Sequence, residues 1–190
     1  MERTERPTRE ALEYADGRTI ADVLAPDLGV LFVGINPGRY SGAVGHHFAR
    51  PGNRFWKALH LGGFTDHVWT PSRDRELPSI GVGVTNLVAR TTRAASDLTI
   101  EELRAGAERL TRIARRDRPR YVAILGIGAY RTAFATPGAA LGPQPDDLGP
   151  SSLWVLPNPS GLNAHHQLDD LGRRFRELHD AAFLDRARPG

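Results

Sequence analysis

Two stretches of this chain carry no polar side chain beyond one tyrosine hydroxyl, residues 29–34 (GVLFVG) and 121–126 (YVAILG), and a third, 152–156 (SLWVL), is apolar after its first residue. A strand with one wet face alternates apolar and polar residues. A strand apolar throughout is buried on both faces, as in a parallel sheet covered by helices. Residues 80–85 (IGVGVT) read as a further strand, weakened by its glycines. Helical patterns lie between these strands. Arg54 to Leu61 places Phe55, Ala58, Leu59 and Leu61 near one face. Thr99-Ile-Glu-Glu102 is a capping box that opens a helix with Leu103, Ala107, Leu110 and Ala114 aligned, ending before Pro119. Gly128 to Ala135 reads as helix. Leu168, Leu171, Phe175, Leu178 and Ala182 mark a long C-terminal amphipathic helix. Thr19 to Leu24 reads as a short helix ended by Ala25-Pro26, residues 62–79 as irregular and 136–151 as loop. Strands alternating with helices predict an α/β fold, a three-layer α/β/α sandwich around a mainly parallel sheet. The expected domain spans 18–184. It is preceded by a charged, aperiodic and mobile extension (1–17) and followed by a tail (185–190).

At 190 residues the chain is the length of one domain. It has no cysteine, which excludes disulfides, thiolate nucleophiles, cysteine-bound zinc and iron–sulfur clusters. Its seven histidines show no metal-ligand spacing, so neither metal nor other cofactor is expected. The formal charge is +3 and the pI about 9.8. That balance fits a nucleic-acid partner, but the arginine bias fits a GC-rich genome equally well. Of the 25 basic residues one is lysine, Lys57. A Schiff-base reaction would therefore have only Lys57 or the terminal amine to use. No run of about 18 apolar residues is present. The first residues carry no apolar signal core. Both point to the cytoplasm, with no membrane association.

Two strand exits carry unusual chemistry: Gly34-Ile35-Asn36-Pro37-Gly38 after the first apolar run, and Pro157-Asn158-Pro159-Ser160-Gly161-Leu162-Asn163 after the last. Ligands of open α/β sheets bind beyond the carboxyl ends of the strands. Each motif alone also reads as an ordinary turn, since Asn-Pro and Gly form turns. Leu162 reads either as an unremarkable surface leucine or as a wedge for a DNA base stack. Arg104, Arg109, Arg112, Arg115, Arg116, Arg118 and Arg120 read as a solvated helix face, with weak DNA contact as the alternative.

Together GINPG, PGNRFWK, GVGVTNLVARTT and PNPSGLN resemble, in order, the motifs of the mismatch-specific uracil-DNA glycosylase / thymine-DNA glycosylase family of the uracil-DNA glycosylase superfamily. The resemblance spans about residues 20 to 184. The missing cysteines set the chain apart from the iron–sulfur branches, and Asn36 sets it apart from the branch with a catalytic aspartate. What the resemblance implies is a monofunctional glycosylase that removes uracil, with thymine or other modified pyrimidines open, from mismatches with guanine in double-stranded DNA. It acts as a monomer in base excision repair. Asn36 and Asn158 match the catalytic positions: Asn36 holds the hydrolytic water, and Asn158 bonds the base. Ile35, Ser41, Phe48 and Asn86 match base-binding positions, with Phe48 stacking on the flipped base. Ser160, Gly161, Leu162 and Asn163 match the DNA insertion loop. An arginine of some members falls at Ala164, where the neighbouring His165 and His166 are candidate substitutes. His46-His47 and Asp97 are similar to the thymine-type branch, although Asp97 reads more simply as a residue at a helix start. The rival readings are a damaged-DNA or abasic-site binder with negligible turnover and, more remotely, a nucleotide-processing enzyme on the same fold.

Overall fold

The computed structural model describes residues 6–161 and 166–184. Five strands form the central sheet: β1 (Val30–Gly34), β2 (Val82–Asn86), β3 (Tyr121–Leu125), β4 (Gly142–Leu148) and β5 (Ser151–Leu156), in the order β2-β1-β3-β5-β4. The first four in that order run parallel, and β4 closes one edge antiparallel to β5. Among the described residues six α-helices surround them: α1 (Arg9–Tyr14), α2 (Arg39–Val44), α3 (Phe55–Leu61), α4 (Ile100–Asp117), α5 (Ile127–Ala133) and α6 (Leu168–His179).

Every residue of β1 is buried, because alternate side chains enter two separate cores. Val30 and Phe32 pack with Phe55, Leu59, Leu171 and Phe175 of α3 and α6. Leu31 and Val33 pack with Leu110, Ile113 and Ala114 of α4 and Tyr130 of α5. This is the three-layer arrangement expected from the uninterrupted apolar runs. Phe32 anchors the first core. Its ring meets Phe55 edge-on at 5.4 Å and stacks on Phe175 at 5.3 Å. The capping box at Thr99 forms as read, and α4 stops at Asp117, with Arg118 left-handed just before Pro119.

Within the N-terminal segment Thr8 caps α1, and Ala15 after it is buried. Three expectations are corrected. Thr19 to Leu24 is extended rather than helical. Val23 exchanges both backbone hydrogen bonds with Val84 (2.8 and 2.9 Å), which makes the segment a partner for the open edge of β2. Residues 71–79, read as irregular, together with Ile80, read as the start of a strand, form a 3-10 segment ended by a left-handed Gly81. The stretch read as loop contains β4. Its prolines hid it, yet an edge strand with a register shift between Pro143 and Asp147 tolerates them.

The Phe32 contacts generate a stability prediction. Phe32→Ala is expected to cost about 3–5 kcal/mol, as for large core aromatics. Urea titration should show a lower midpoint at unchanged slope.

Candidate active site

The ends of β1, β2 and β5 open onto one cavity of about 450 Å³. Its walls include Ile35, Asn36, Ser41, Phe48, Asn86, Asn158 and Ser160, with no acidic residue in the lining among the described residues. Both Asn-Pro corners thus meet in one place. They adjoin across Gly126, where an added Cβ would lie 3.2 Å from Ile35 Cδ1 and 3.9 Å from Asn158 Cβ. Gly126 itself has φ +136°, which favours glycine.

The first corner is held by the chain that continues β2. Leu87, Val88 and Thr92 donate their N–H groups to the carbonyls of Gly34 (2.8 Å), Ile35 (3.0 Å) and Pro37 (3.2 Å). The Asn36 side chain joins the same ladder. Its Nδ2 donates to Thr92 Oγ1 (2.7 Å), Arg90 O (3.2 Å) and Pro37 O (3.2 Å). Thr92 Oγ1 spends its own proton on Ala94 O (2.7 Å), so toward Asn36 it accepts. The amide therefore has one allowed orientation, with Oδ1 as the remaining acceptor. Arg90 is anchored in turn. Its guanidinium pairs with Glu102 and, with the Thr99 N–H, holds that carboxyl down at about 2.

Asn86 ends β2, buried, beside Gly34. A Cβ on Gly34 would come within 2.5 Å of Asn86 Oδ1, so glycine is required for this side chain to lie where it does. Behind it, Arg109 Nη1 donates to Asn86 O (3.2 Å) while Nη2 pairs with Asp22. Asp22 also accepts from Thr85 Oγ1 (2.7 Å). Arg109 is thus a brace behind the site, unlike the solvated helix face read from the sequence. Arg104, Arg112, Arg115, Arg116 and Arg118 are exposed as expected, and Arg120 donates to Ala182 O (2.9 Å).

Phe48 is half-buried at φ +52°, a left-handed conformation costing an L residue about 1–2 kcal/mol. Its ring stacks on Phe55 at 4.1 Å. Ser41 Oγ accepts the N–H of the next residue, Ala49 (3.0 Å), so the hydroxyl holds the loop as well as lining the cavity. His47 is buried, and burial pushes its pKa down, leaving the ring neutral. Its Nε2 lies 3.2 Å from Ala21 O and must carry the proton to donate there.

At the second corner Asn158 Oδ1 accepts the Ser160 N–H (2.9 Å), which identifies Nδ2 as the donor end of the amide. Arg54 ties this loop down. Its backbone N–H donates to Pro159 O (2.9 Å), Nη2 donates to Ser160 O (2.8 Å), and Nη1 donates to His166 O. Gly161 packs where a Cβ would meet Gly52 O at 2.6 Å, and lines a smaller adjoining cavity with Arg50 and Asn53. Leu162, Asn163, Ala164 and His165 lie outside the described residues. His166 Nδ1 is engaged with Asp170 (2.6 Å).

Asp97 is not among the described residues that line this cavity or the smaller one beside it. Its carboxylate accepts the Ala94 N–H (3.0 Å) and ends a short turn. Lys57 is exposed on α3, away from the lining. Sequence reading missed the supporting residues Thr92, Arg54, Arg109 and Asp22. Thr92 and Arg54 lay within quoted motifs, but neither spacing nor periodicity reveals a hydrogen bond across the fold.

The comparisons agree with this architecture. A solution NMR structure of a candidate uracil DNA glycosylase from Methanosarcina acetivorans superposes with a TM-score of 0.55. It is 20% identical and the alignment covers 86% of this chain and 98% of that one, a likeness of fold. The sequence profile of the Uracil DNA glycosylase superfamily matches residues 21–183. That match takes in both Asn-Pro corners and nearly every element around them, and the chain belongs to the uracil DNA glycosylase superfamily.

Proposed function

We propose that this protein is a monofunctional DNA glycosylase that hydrolyses the N-glycosidic bond of uracil mispaired with guanine in double-stranded DNA. The observation that carries the reading is the locked amide of Asn36 in the wall of a cavity at the strand ends. An amide has no basicity at neutral pH, so it cannot take a proton from water as a carboxylate does. It can accept one hydrogen bond through Oδ1 and so hold a water in line with C1′ of a flipped nucleotide. Catalysis then rests on orientation and on the departure of a stabilised base anion.

The remaining groups divide the work of holding the base. Phe48 offers a ring face for stacking, the usual way a flipped base is gripped. Asn86 presents a side-chain amide to the pyrimidine edge. Asn158, through Nδ2, donates to the base oxygen where negative charge gathers as the bond breaks. Ile35 and Ser41 close the wall. Ser160 and Gly161, with Leu162 and Asn163 beyond them, enter the gap that the extruded nucleotide leaves. Arg50 and Arg93 stand in a lining that, among the described residues, holds no acid, which suits a polyanion. The exposed position of Lys57 supports hydrolysis without strand cleavage, because a lyase step needs an amine at C1′.

Incubation of a G·U duplex with excess protein, followed by alkali, tests the reading. The parent should release uracil in a single-turnover burst, and Asn36→Ala should be slower by about a hundredfold or more while still binding the duplex. Parental rates in Asn36→Ala overturn the mechanism. Duplex binding with no base release from the parent favours a damaged-DNA binder instead. Thr92→Val keeps the shape but removes the acceptor that orients Asn36. It is expected to slow the burst about tenfold, equal to about 1.4 kcal/mol, with duplex affinity unchanged. A parental rate would show that Thr92 does not govern the amide.

A further inference from the structure

Asp74 is a carboxylate wholly out of solvent that takes no part in the reaction described above. It stands in the 3-10 segment before β2 and reaches the turn that leads into Phe48. Its Oδ2 accepts the His47 backbone N–H (3.0 Å), and its Oδ1 lies 3.1 Å from His46 Nδ1. Arg75 Nε is 3.7 Å from the same Oδ1, while Arg75 Nη1 donates to Ala21 O (3.0 Å), the oxygen that His47 Nε2 also approaches. The two residues ahead of Phe48 are therefore both tied to one rigid acceptor.

We propose that Asp74 is a positioning residue for the base, one that acts through Phe48. A left-handed conformation at a bulky residue persists only where the surroundings over-determine it. Here the N–H before Phe48 is held by Asp74 and the N–H after it by Ser41. Between these two points the ring is pressed onto Phe55 at one face and borders the cavity. Burying a carboxylate is a poor route to stability, since its desolvation offsets what its partners return. Its geometry instead suits a group that sets where an aromatic platform stands. The inference rests on the assignment of Phe48 as the stacking surface.

A double-mutant cycle decides the matter, read as kcat/KM for uracil release from a G·U duplex alongside thermal melting. Phe48→Ala is expected to be impaired. Asp74→Ala should lose about tenfold, as small displacements at a reaction centre do. Asp74→Asn should stay within about twofold of the parent, because its oxygen still accepts from His47 N–H and its NH2 can face the acceptor tautomer of His46. Combining Asp74→Ala with Phe48→Ala should be no worse than Phe48→Ala alone, the non-additivity of residues acting through one contact. Should Asp74→Ala fail to fold, Asp74→Leu fills the volume without an acceptor and is read in its place. Parental activity in Phe48→Ala sinks the stacking assignment itself. An impaired Phe48→Ala beside an Asp74→Ala that melts earlier but keeps parental kcat/KM sinks only the role given to Asp74. That role is equally overturned if the two losses multiply.

Discussion

The NH2 group of Asn36 serves as an extra rung of the β1–β2 ladder. Beyond the paired strands the backbone of residues 34–37 offers carbonyls that Leu87, Val88 and Thr92 occupy, but Pro37 has no N–H to return. The Asn36 side chain supplies the missing donor to Arg90 O and Thr92 Oγ1. One side chain thus continues the sheet and forms part of the cavity wall. Its Oδ1 is aimed by the same contacts that close the corner, so local folding and site geometry are one event.

The rest of the architecture holds the surroundings of that rung still. Two cores on opposite faces of the sheet fix β1 and β3, and their carboxyl ends present Ile35 and Gly126 between the two corners. Arg109 and Asp22 brace β2 from behind. Arg54 ties the second corner to the start of α3 and to His166. In the loop that carries Phe48 the left-handed backbone is bracketed by hydrogen bonds on both sides. Rigid elements around a backbone held in this way are what a site relying on orientation requires.

The legible features were those with a local cause. Uninterrupted apolar runs need two covered faces, so three core strands and the layered fold could be read directly. The Thr99 capping box is a contact between residues three apart, and α4 begins there. Each corner alone also reads as an ordinary turn, and the two became legible as a site through their joint resemblance to family motifs in order. β4 was hidden because an edge strand needs no apolar alternation and admits proline. Thr19 to Leu24 was misread because its apolar spacing fits a helix, whereas the open edge of β2 gives its backbone better partners. Arg109 looked like its exposed neighbours, since a partner 87 residues away leaves no trace in helical spacing.

From the sequence came the class of fold, the exclusion of cysteine chemistry, and a resemblance that named the candidate asparagines and whose superfamily the profile match over residues 21–183 bears out. Each depends on residue type or on neighbours within a few positions, which a linear chain displays. Only the folded chain decided which way the Asn36 amide faces, that Ser41 holds a loop as well as lining a wall, that Asp97 ends a turn, and that Asp74 holds the backbone N–H just before Phe48. These are matters of which donor meets which acceptor across distant segments. That pairing exists only once the sheet has brought the segments to hydrogen-bond distance.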